Sequence, residues 1–229
     1  MGRWIWRGGL VALILGLYLQ LGYLAGVAWW GYFNPDNTAF MEAGLDRLQE
    51  KRPDAQLRHR WVDYGHISMH LKRAVVAAED SRFLEHEGFD WDGIEKAVEK
   101  NLRKGRIVAG GSTISQQLAK NLFLSASRNP LRKMQEAVIT VMIETLWSKR
   151  RILEVYLNVI EWGNGIYGAE AASRRYFSQS AAGLGPDQAA TLAAMIPNPR
   201  YYESHRASAG LLKRKGIIAA RMGQVSVPK

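Results

Sequence analysis

The first feature of this 229-residue chain is a long apolar run near its start. Arg3 and Arg7 precede an uncharged stretch, residues 8–35, which is rich in Leu, Val, Ile and Ala. A helix over residues 10–33 would be about 36 Å long at about 1.5 Å per residue, enough to cross a hydrocarbon core of about 30 Å. We therefore predict a transmembrane anchor at residues 10–33 after a short cytoplasmic N-terminus, residues 1–9, because basic residues before a span favour that orientation.

A cleavable signal peptide is the alternative interpretation of this run, with Gly26–Ala28 as its small-residue cleavage site. The uncharged stretch is long for a signal peptide. Aromatic residues also continue past that site, as they do in interfacial belts: Trp29, Trp30, Tyr32 and Phe33. The length and the aromatic residues together favour a retained anchor.

Beyond Ile67 the apolar positions recur with helical spacing nearly throughout, which predicts a predominantly α domain over residues 65–205. Several helix ends are marked by typical capping residues: Asp90, Gly105, Asn129-Pro130 and Ser148. The helix that begins at Pro130 carries an apolar face made of Leu131, Met134, Val138, Val141 and Met142. Short strands are expected only near residues 57–62.

Two polar segments flank the predicted domain. Residues 34–64 are interpreted as a juxtamembrane connector whose apolar residues could dip into the bilayer: Met41, Leu45 and Leu48. Residues 206–229 form a basic C-terminal tail, which we expect to be a solvated surface helix. Attraction of this tail to anionic lipid headgroups is the alternative.

Composition narrows the possible chemistry. The chain has 47% hydrophobic residues, enough for one sizeable core, and no cysteine, which excludes disulfides, thiolate metal sites and cysteine nucleophiles. The formal net charge of +10 suggests an anionic partner, which could be nucleic acid, a phosphate-bearing substrate or an acidic membrane surface.

The most informative stretch is the decapeptide from Glu79 to Gly88, where a helix is expected to end in a loop. Glu79 and Asp80 fall in the last helical turn, although the dipole of a helix favours cations there. Carboxylates in a negative field hold their protons longer, and this property suits a general base. The alternative is that both acids simply point into water.

A second polar stretch, Gly110–Thr113, leads into a helix whose first N–H groups and dipole could bind an anion. Gln116, Gln117 and Lys120 continue this polar surface along the helix. The apolar positions of the same helix are left for the core: Ile114, Leu118 and Leu122. The stretch is not a nucleotide-binding P-loop, since the Gly-Lys-Ser/Thr order is missing.

Further along, cations gather around a third carboxylate, Glu136. It is preceded by Arg128, Arg132 and Lys133. Arg132 and Glu136 are i, i+4 neighbours, so an ordinary surface ion pair is one interpretation. As a functional site, the cluster suits a transferase with a departing diphosphate, because that leaving group needs positive charge. A glycoside hydrolase would instead need an acid that protonates an alkoxide.

Two further patterns are not expected to carry function. Residues 163–168 match the dinucleotide-binding order G-x-G-x-x-G, but they follow an amphipathic helix and not a strand. His66 and His70 have the i, i+4 spacing of some zinc helices, but the intervening Glu and a third ligand are missing.

Four ordered motifs resemble those of the peptidoglycan glycosyltransferases, glycosyltransferase family 51, and most closely those of its members that lack a penicillin-binding domain. The motifs are Glu79-Asp80-x-x-Phe83-x-x-His86-x-Gly88, Gly110-Gly111-Ser112-Thr113-x-x-Gln116-Gln117-x-x-Lys120-Asn121, Arg132-Lys133-x-x-Glu136 and Ser148-Lys149-x-x-Ile152-Leu153-Glu154-x-Tyr156-Leu157-Asn158. The resemblance covers residues 60–205 and extends to the N-terminal anchor.

The resemblance implies a lysozyme-like fold and polymerisation of lipid II at the outer face of the bacterial inner membrane. Glu79 is then expected to act as the general base on the acceptor's 4-hydroxyl. Glu136 is expected to hold the departing undecaprenyl diphosphate, with Lys120 and Arg128 and, as an option, a divalent cation (Mg²⁺ or Mn²⁺). The remaining motif residues are expected to contact or support the substrate: Asp80, Phe83, His86, Ser112, Thr113, Gln116, Gln117, Arg132 and Lys133.

The same resemblance implies lipid II, lipid-linked glycan and the membrane as partners, with cell-wall synthesis proteins as further candidates and no nucleic acid. A transpeptidase activity is not expected, because the chain stops soon after the matching region. Two rival classes are a muramidase-like hydrolase on the same scaffold and a membrane-anchored basic binding protein. Binding by such a basic protein would weaken steeply with increasing salt concentration and would not depend on Glu79 or Glu136.

Overall fold

The computed structural model describes the backbone of residues 2–106, 110–127 and 129–229, and the side chains within these ranges from Trp6 onward. This part of the chain is predominantly helical, as predicted. Its α-helices are α1 (Gly2–Tyr32), α2 (Ala39–Gln49), α3 (Met69–Glu79), α4 (Trp91–Lys104), α5 (Ile114–Phe123), α6 (Pro130–Leu146), α7 (Lys149–Val159), α8 (Ala169–Phe177), α9 (Pro186–Met195), α10 (Pro199–Ser204) and α11 (Ala209–Arg221). Its strands are β1 (Arg58–His59), β2 (Glu161–Gly163) and β3 (Ile166–Tyr167).

The predicted helix ends are confirmed where capping residues marked them. Asp90 caps α4 with its side chain, and Gly105 ends that helix with a left-handed φ of 60°. Asn129 and Ser148 cap α6 and α7 in the same way. Short polar side chains satisfy the free N–H groups of a first helical turn, so these local signals are enough to place the helices.

The sheet is small, and the sequence prediction missed most of it. β1 lies within residues 57–62 as predicted, but β2 and β3 lie outside that range, where no strand was expected. β3 pairs in parallel with β1 and antiparallel with β2, so residues 163–168 form a hairpin and not a dinucleotide loop. Strands of two or three residues are too short to show an alternating pattern.

The hydrophobic core lies among α3, α5, α7 and α9, which pack on one another and on α6 and α11. Its largest fully buried side chains include those of Trp162, Tyr156, Tyr167 and Phe83. The apolar positions predicted for the core side of α5 are confirmed as buried: Ile114, Leu118 and Leu122.

Most of the apolar face predicted for α6 lies outside this core, and only its Met142 packs against it. Leu131 and Met134 are 72% and 67% exposed, whereas the buried side of the helix consists of Glu136, Ile139, Thr140 and Ile143. α6 packs beside α1, and the side chains of Gln135 and Gln20 exchange hydrogen bonds of 2.7 and 3.0 Å. Two neighbouring helices, α1 and α6, therefore both carry exposed apolar side chains.

α1 contains a segment, Trp6–Tyr32, that is long and apolar enough to cross a membrane, which suggests membrane anchoring. Its last turns pack directly on the domain. The indole N–H of Trp147 donates to the carbonyl of Val27 at 2.8 Å, and Arg151 donates to two carbonyls at the C-terminal end of α1. α1 is therefore joined to the domain by side-chain contacts as well as by the connecting chain.

Both flanking segments pack on the domain, which contradicts the expectation for the connector and adds a buried side to the surface helix expected in the tail. In the connector, Met41 and Leu48 of α2 are 1% and 7% exposed, so they fill the protein interior instead of reaching toward a bilayer. In the basic tail, α11 is not simply solvated, because it packs on α3 and α9 through Leu211, Ile218 and Met222. An amphipathic helix shows the same spacing whether its apolar side meets lipid or protein.

Candidate active site

Glu79 is the last residue of α3 and lines a cleft of about 240 Å³. Its side chain is 11% exposed, and both carboxylate oxygens accept hydrogen bonds. Gln117 Nε2 donates to Oε2 at 2.9 Å, and Arg214 Nη2 donates to Oε1 at 2.8 Å. Donors from α5 and α11 therefore fix the orientation of the carboxylate, and the guanidinium offsets the negative end of α3.

Asp80 follows Glu79, and its carboxylate contacts other parts of the protein. Its Oδ2 accepts a hydrogen bond of 3.0 Å from the backbone N–H of Ile114, at the start of α5, and its Oδ1 lies 2.9 Å from His86 Nε2. The residue is 7% exposed, so neither carboxylate of this pair simply points into water. Asp80 thus joins the decapeptide loop to the helix that carries Gln117.

The loop of the decapeptide is packed on α6 and α7. Phe83 has no exposed surface; the ammonium of Lys149 lies 4.7 Å from the centre of its ring and donates to the carbonyl of His86 at 2.6 Å. Gly88 has a φ of 89°, and a Cβ there would lie 2.7 Å from Thr140 Cγ2. This position therefore needs glycine for both conformation and space.

The start of α5 is a capping box. Thr113 N–H donates to Gln116 Oε1 at 3.0 Å, and Gln116 N–H donates to Thr113 Oγ1 at 3.2 Å. The Thr113 hydroxyl also donates to the carbonyl of Gly88 at 2.7 Å. Both side chains are nearly buried and hold the local structure, whereas Ser112 is exposed and lies 3.5 Å from Lys133 Nζ. A substrate contact for these residues stays a prediction.

Glu136 lies on the buried side of α6, with 3% exposure, and pairs with two cations of its own helix. Arg132 Nη1 lies 2.6 Å from its Oε2, and the Lys133 ammonium pairs with its Oε1. The interpretation as an ordinary surface ion pair is therefore wrong, because the carboxylate is buried. Two positive charges around one negative charge leave this end of the site electropositive.

Lys120 lies within electrostatic reach of both carboxylates. Desolvation lowers the pKa of its ammonium, and the charges of Glu136 and Glu79 act in the opposite direction. Among the residues that the structure describes, none accepts a hydrogen bond from Lys120 Nζ. This nitrogen lies 5.5 Å from the centre of the Phe40 ring. A partly desolvated cation with no direct ion pair to a described carboxylate is suited to receive an anionic ligand.

Two further expectations for the site concern Arg128 and a divalent cation. Arg128 lies outside the described residues. The divalent cation was the second expectation. Within the described ranges, no three His, Cys, Asp or Glu side chains lie close enough together to bind a metal ion. Glu136, the carboxylate assigned to the diphosphate, already pairs with two cations.

Comparison with known proteins decides the family. A family profile described as Transglycosylase matches residues 46–223. The chain belongs to the transglycosylase family. Proteins named biosynthetic peptidoglycan transglycosylase are similar to it over nearly their whole lengths. The protein of Thiobacillus denitrificans is 64% identical over 99% of this chain and 98% of its own. That of Methylobacillus flagellatus is 61% identical over 97% of each chain.

Two side chains of this transglycosylase's site were not singled out from the sequence. Arg214 is separated from Glu79 by 135 residues and lies in the segment interpreted as a solvated tail, so no local pattern connects the two. Tyr156 donates its hydroxyl proton to Gln117 Oε1 at 2.8 Å. Its place in the fourth motif was a signal, but no role was assigned to it there.

Proposed function

We propose that this chain polymerises the glycan strands of peptidoglycan. In this reaction the lipid-linked growing chain is transferred to the 4-hydroxyl of lipid II, with inversion to a β-1,4 link and release of undecaprenyl diphosphate. The reaction class is the one named in the relatives. The observation that carries the proposal is the division of the site between a carboxylate at a cleft, Glu79, and a buried carboxylate among cations, Glu136.

Glu79 is the proposed general base. As the acceptor's 4-oxygen forms its bond to the anomeric carbon of the donor, the hydroxyl proton passes to the carboxylate. Gln117 and Arg214 use one lone pair on each oxygen, and each carboxylate oxygen has a second. The carboxylate is thus held in one orientation while it still has room for the proton.

The cations around Glu136 are the proposed site of the departing diphosphate. The bond from the anomeric carbon to the phosphate oxygen breaks, and negative charge develops on the leaving group. Arg132, Lys133 and Lys120 place positive charge there before the reaction begins, so little reorganisation is needed at the transition state. A muramidase would need an acid at this end, and a carboxylate already paired with two cations does not suit that role.

We also propose that α1 spans the inner membrane with its N-terminus in the cytoplasm and the domain in the periplasm. The basic residues before the span support this orientation. The exposed apolar face of α6, which lies beside α1, would then face the outer leaflet: Leu131, Met134, Val138 and Val141. Glu136 and Arg132 on the same helix would meet a lipid-linked substrate near the membrane surface.

No transpeptidase activity is proposed for this chain. It contains a Ser-x-x-Lys order, the order of the nucleophile motif of penicillin-binding domains, at Ser226–Lys229. That segment is irregular and not the start of a helix, and the carbonyl of Pro228 accepts a hydrogen bond of 2.7 Å from the hydroxyl of Tyr64. Incubation with a labelled penicillin should therefore leave the protein unlabelled.

The test of the proposed reaction is polymerisation of purified lipid II by the full-length protein in detergent, beside Glu79→Gln. The wild type should produce lysozyme-sensitive glycan, and the variant should lose at least about 10²-fold in rate, as expected for a missing general base. Trimming of existing glycan without polymerisation would establish the hydrolase instead. Normal polymerisation by Glu79→Gln would remove this residue as the base.

A further inference from the structure

Tyr156 is linked to Glu79 through a single intermediate side chain. It lies on α7 without exposed surface, and its hydroxyl donates to Gln117 Oε1 at 2.8 Å. The amide nitrogen of Gln117 donates in turn to Glu79 Oε2 at 2.9 Å. The buried tyrosine, the amide and the carboxylate thus form a continuous chain of two hydrogen bonds that ends at the cleft.

The direction of this chain is fixed at both ends. Burial raises the pKa of Tyr156 well above its ordinary value, and the negative charges of Glu79 and Asp80 raise it further, so the hydroxyl keeps its proton. An ionised carboxylate can only accept hydrogen bonds. The Gln117 amide therefore turns its oxygen to Tyr156 and its NH₂ group to Glu79.

We propose that Tyr156 is a positioning residue that acts through Gln117 and keeps the amide NH₂ group turned to Glu79 throughout the reaction. The inference rests on the proposed role of Glu79 as base. Once Glu79 has taken the acceptor's proton, the resulting carboxylic acid could donate to the amide oxygen if Gln117 turned over. Tyr156 opposes that turn because its buried hydroxyl proton would lose the amide oxygen that accepts it. The protonated form of Glu79 is therefore not stabilised, and the carboxylic acid gives its proton to water in the cleft more readily.

The variant that tests this inference is Tyr156→Phe, which removes the hydroxyl and keeps the ring. We expect kcat for lipid II polymerisation to fall about tenfold with KM unchanged, since the hydroxyl lies behind the base and not in the cleft. The midpoint of the acid limb of the kcat–pH profile should move to higher pH, because the freed amide can now stabilise protonated Glu79.

Tyr167→Phe is the matched control. Tyr167 is also fully buried, and its hydroxyl donates to the carbonyl of Phe40 at 2.9 Å, with no hydrogen bond to Gln117 or Glu79. Its loss should lower Tm about as much as that of Tyr156→Phe while leaving kcat and the acid limb unchanged. The same shift of the acid limb in both variants would overturn the inference, because it would reflect general destabilisation.

A double-mutant cycle with Gln117→Leu completes the test. Gln117→Leu alone should move the acid limb upward, and Tyr156→Phe should add nothing in that background. Additive shifts of the acid limb in the double variant, or a wild-type kcat–pH profile for Tyr156→Phe, would overturn the inference that Tyr156 acts through Gln117. If Tyr156→Phe does not fold, Gln117→Met, which keeps the side-chain volume, must show the shift for the inference to survive. If Glu79→Gln loses activity while Tyr156→Phe has wild-type kcat and a wild-type pH profile, the role of Tyr156 is refuted and Glu79 remains the proposed base.

Discussion

The two proposed catalytic carboxylates are held in opposite ways. Glu136 receives both of its cations, Arg132 and Lys133, from its own helix at i, i+4 and i, i+3 spacing. Glu79 receives its donors from α5 and α11, which are 38 and 135 residues distant along the chain. Local helical geometry therefore builds the electropositive end of the site, and the tertiary fold builds the basic end.

This difference suits the two roles. A diphosphate needs fixed positive charge, which a helix supplies by repeating cations on one side. A base needs an oriented carboxylate that still has a free lone pair at the cleft, and an amide with one guanidinium leaves it so. The comparison predicts that damage to the Glu136 side affects donor binding, whereas damage to the Glu79 side affects turnover.

The largest expected effect on the Glu136 side comes from Arg132→Gln. The variant should lose about 10²-fold in kcat/KM for lipid II, because a buried carboxylate loses its guanidinium and the leaving group loses a cation. The measurement is initial-rate polymerisation over a range of lipid II concentrations.

The matched control for this variant is Arg174→Gln. Arg174 pairs at i, i+4 spacing with Glu170, another carboxylate that is only 5% exposed, outside the proposed site. It should destabilise the protein to a similar degree and leave kcat/KM near that of the wild type. Equal losses of kcat/KM in the two variants would show that Arg132 matters only for folding.

An intermediate effect is expected from Arg214→Met on the Glu79 side. The variant should lower kcat about tenfold, since one of the two donors that orient the base is removed, and should leave donor binding unchanged. Lys213→Met is the control, because Lys213 is the exposed neighbour on the same helix. A fall in donor affinity equal to the fall in kcat would contradict the assignment of Arg214 to the basic end.

The smallest expected effect is on stability, in Lys120→Met. Desolvation lowers the folded-state pKa of Lys120, so the unfolded chain holds that proton more tightly, and wild-type stability rises with pH through the interval up to the unfolded value. Lys120→Met lacks this cost of a desolvated charge, so its Tm near neutral pH should equal or exceed that of the wild type by up to about 3 °C. The difference should shrink at alkaline pH.

Polymerisation by Lys120→Met should fall even though stability does not. Lys133→Met provides the contrast, since Lys133 pairs with buried Glu136 and its loss should lower Tm. A large drop in the Tm of Lys120→Met in differential scanning calorimetry would mean that Lys120 serves the fold instead of a ligand.

Much of the fold could be predicted because its signals are local. Capping residues such as Asp90 and Ser148 act within one helical turn, and the apolar positions of α5 repeat with the helix. The outer side of α6 could not be assigned in this way, since the spacing of Leu131 and Met134 is the same whether they face a core or a lipid surface. The strands within residues 161–167 were not predicted, because two or three residues are too few to show an alternating pattern.

The same distinction governs the site. Arg132 and Glu136 could be paired from the sequence because i, i+4 neighbours on a helix are always close. Glu79 was singled out by its position at a helix end, but its partner Arg214 was missed because only the packing of α11 on α3 brings the two together. Thr113 and Gln116 form a capping box, which could be foreseen from their spacing, whereas their expected contact with substrate stays a prediction.

Binding of undecaprenyl diphosphate, the proposed leaving group, tests the division of the site most directly. Its Kd would be measured by calorimetry in detergent for the wild type, Glu79→Gln and Arg132→Gln. The account predicts that Glu79→Gln binds within about threefold of the wild type although its turnover is lost, whereas Arg132→Gln binds at least about tenfold more weakly. Equal weakening in both variants, or wild-type binding by Arg132→Gln, would contradict separate roles for the two carboxylates.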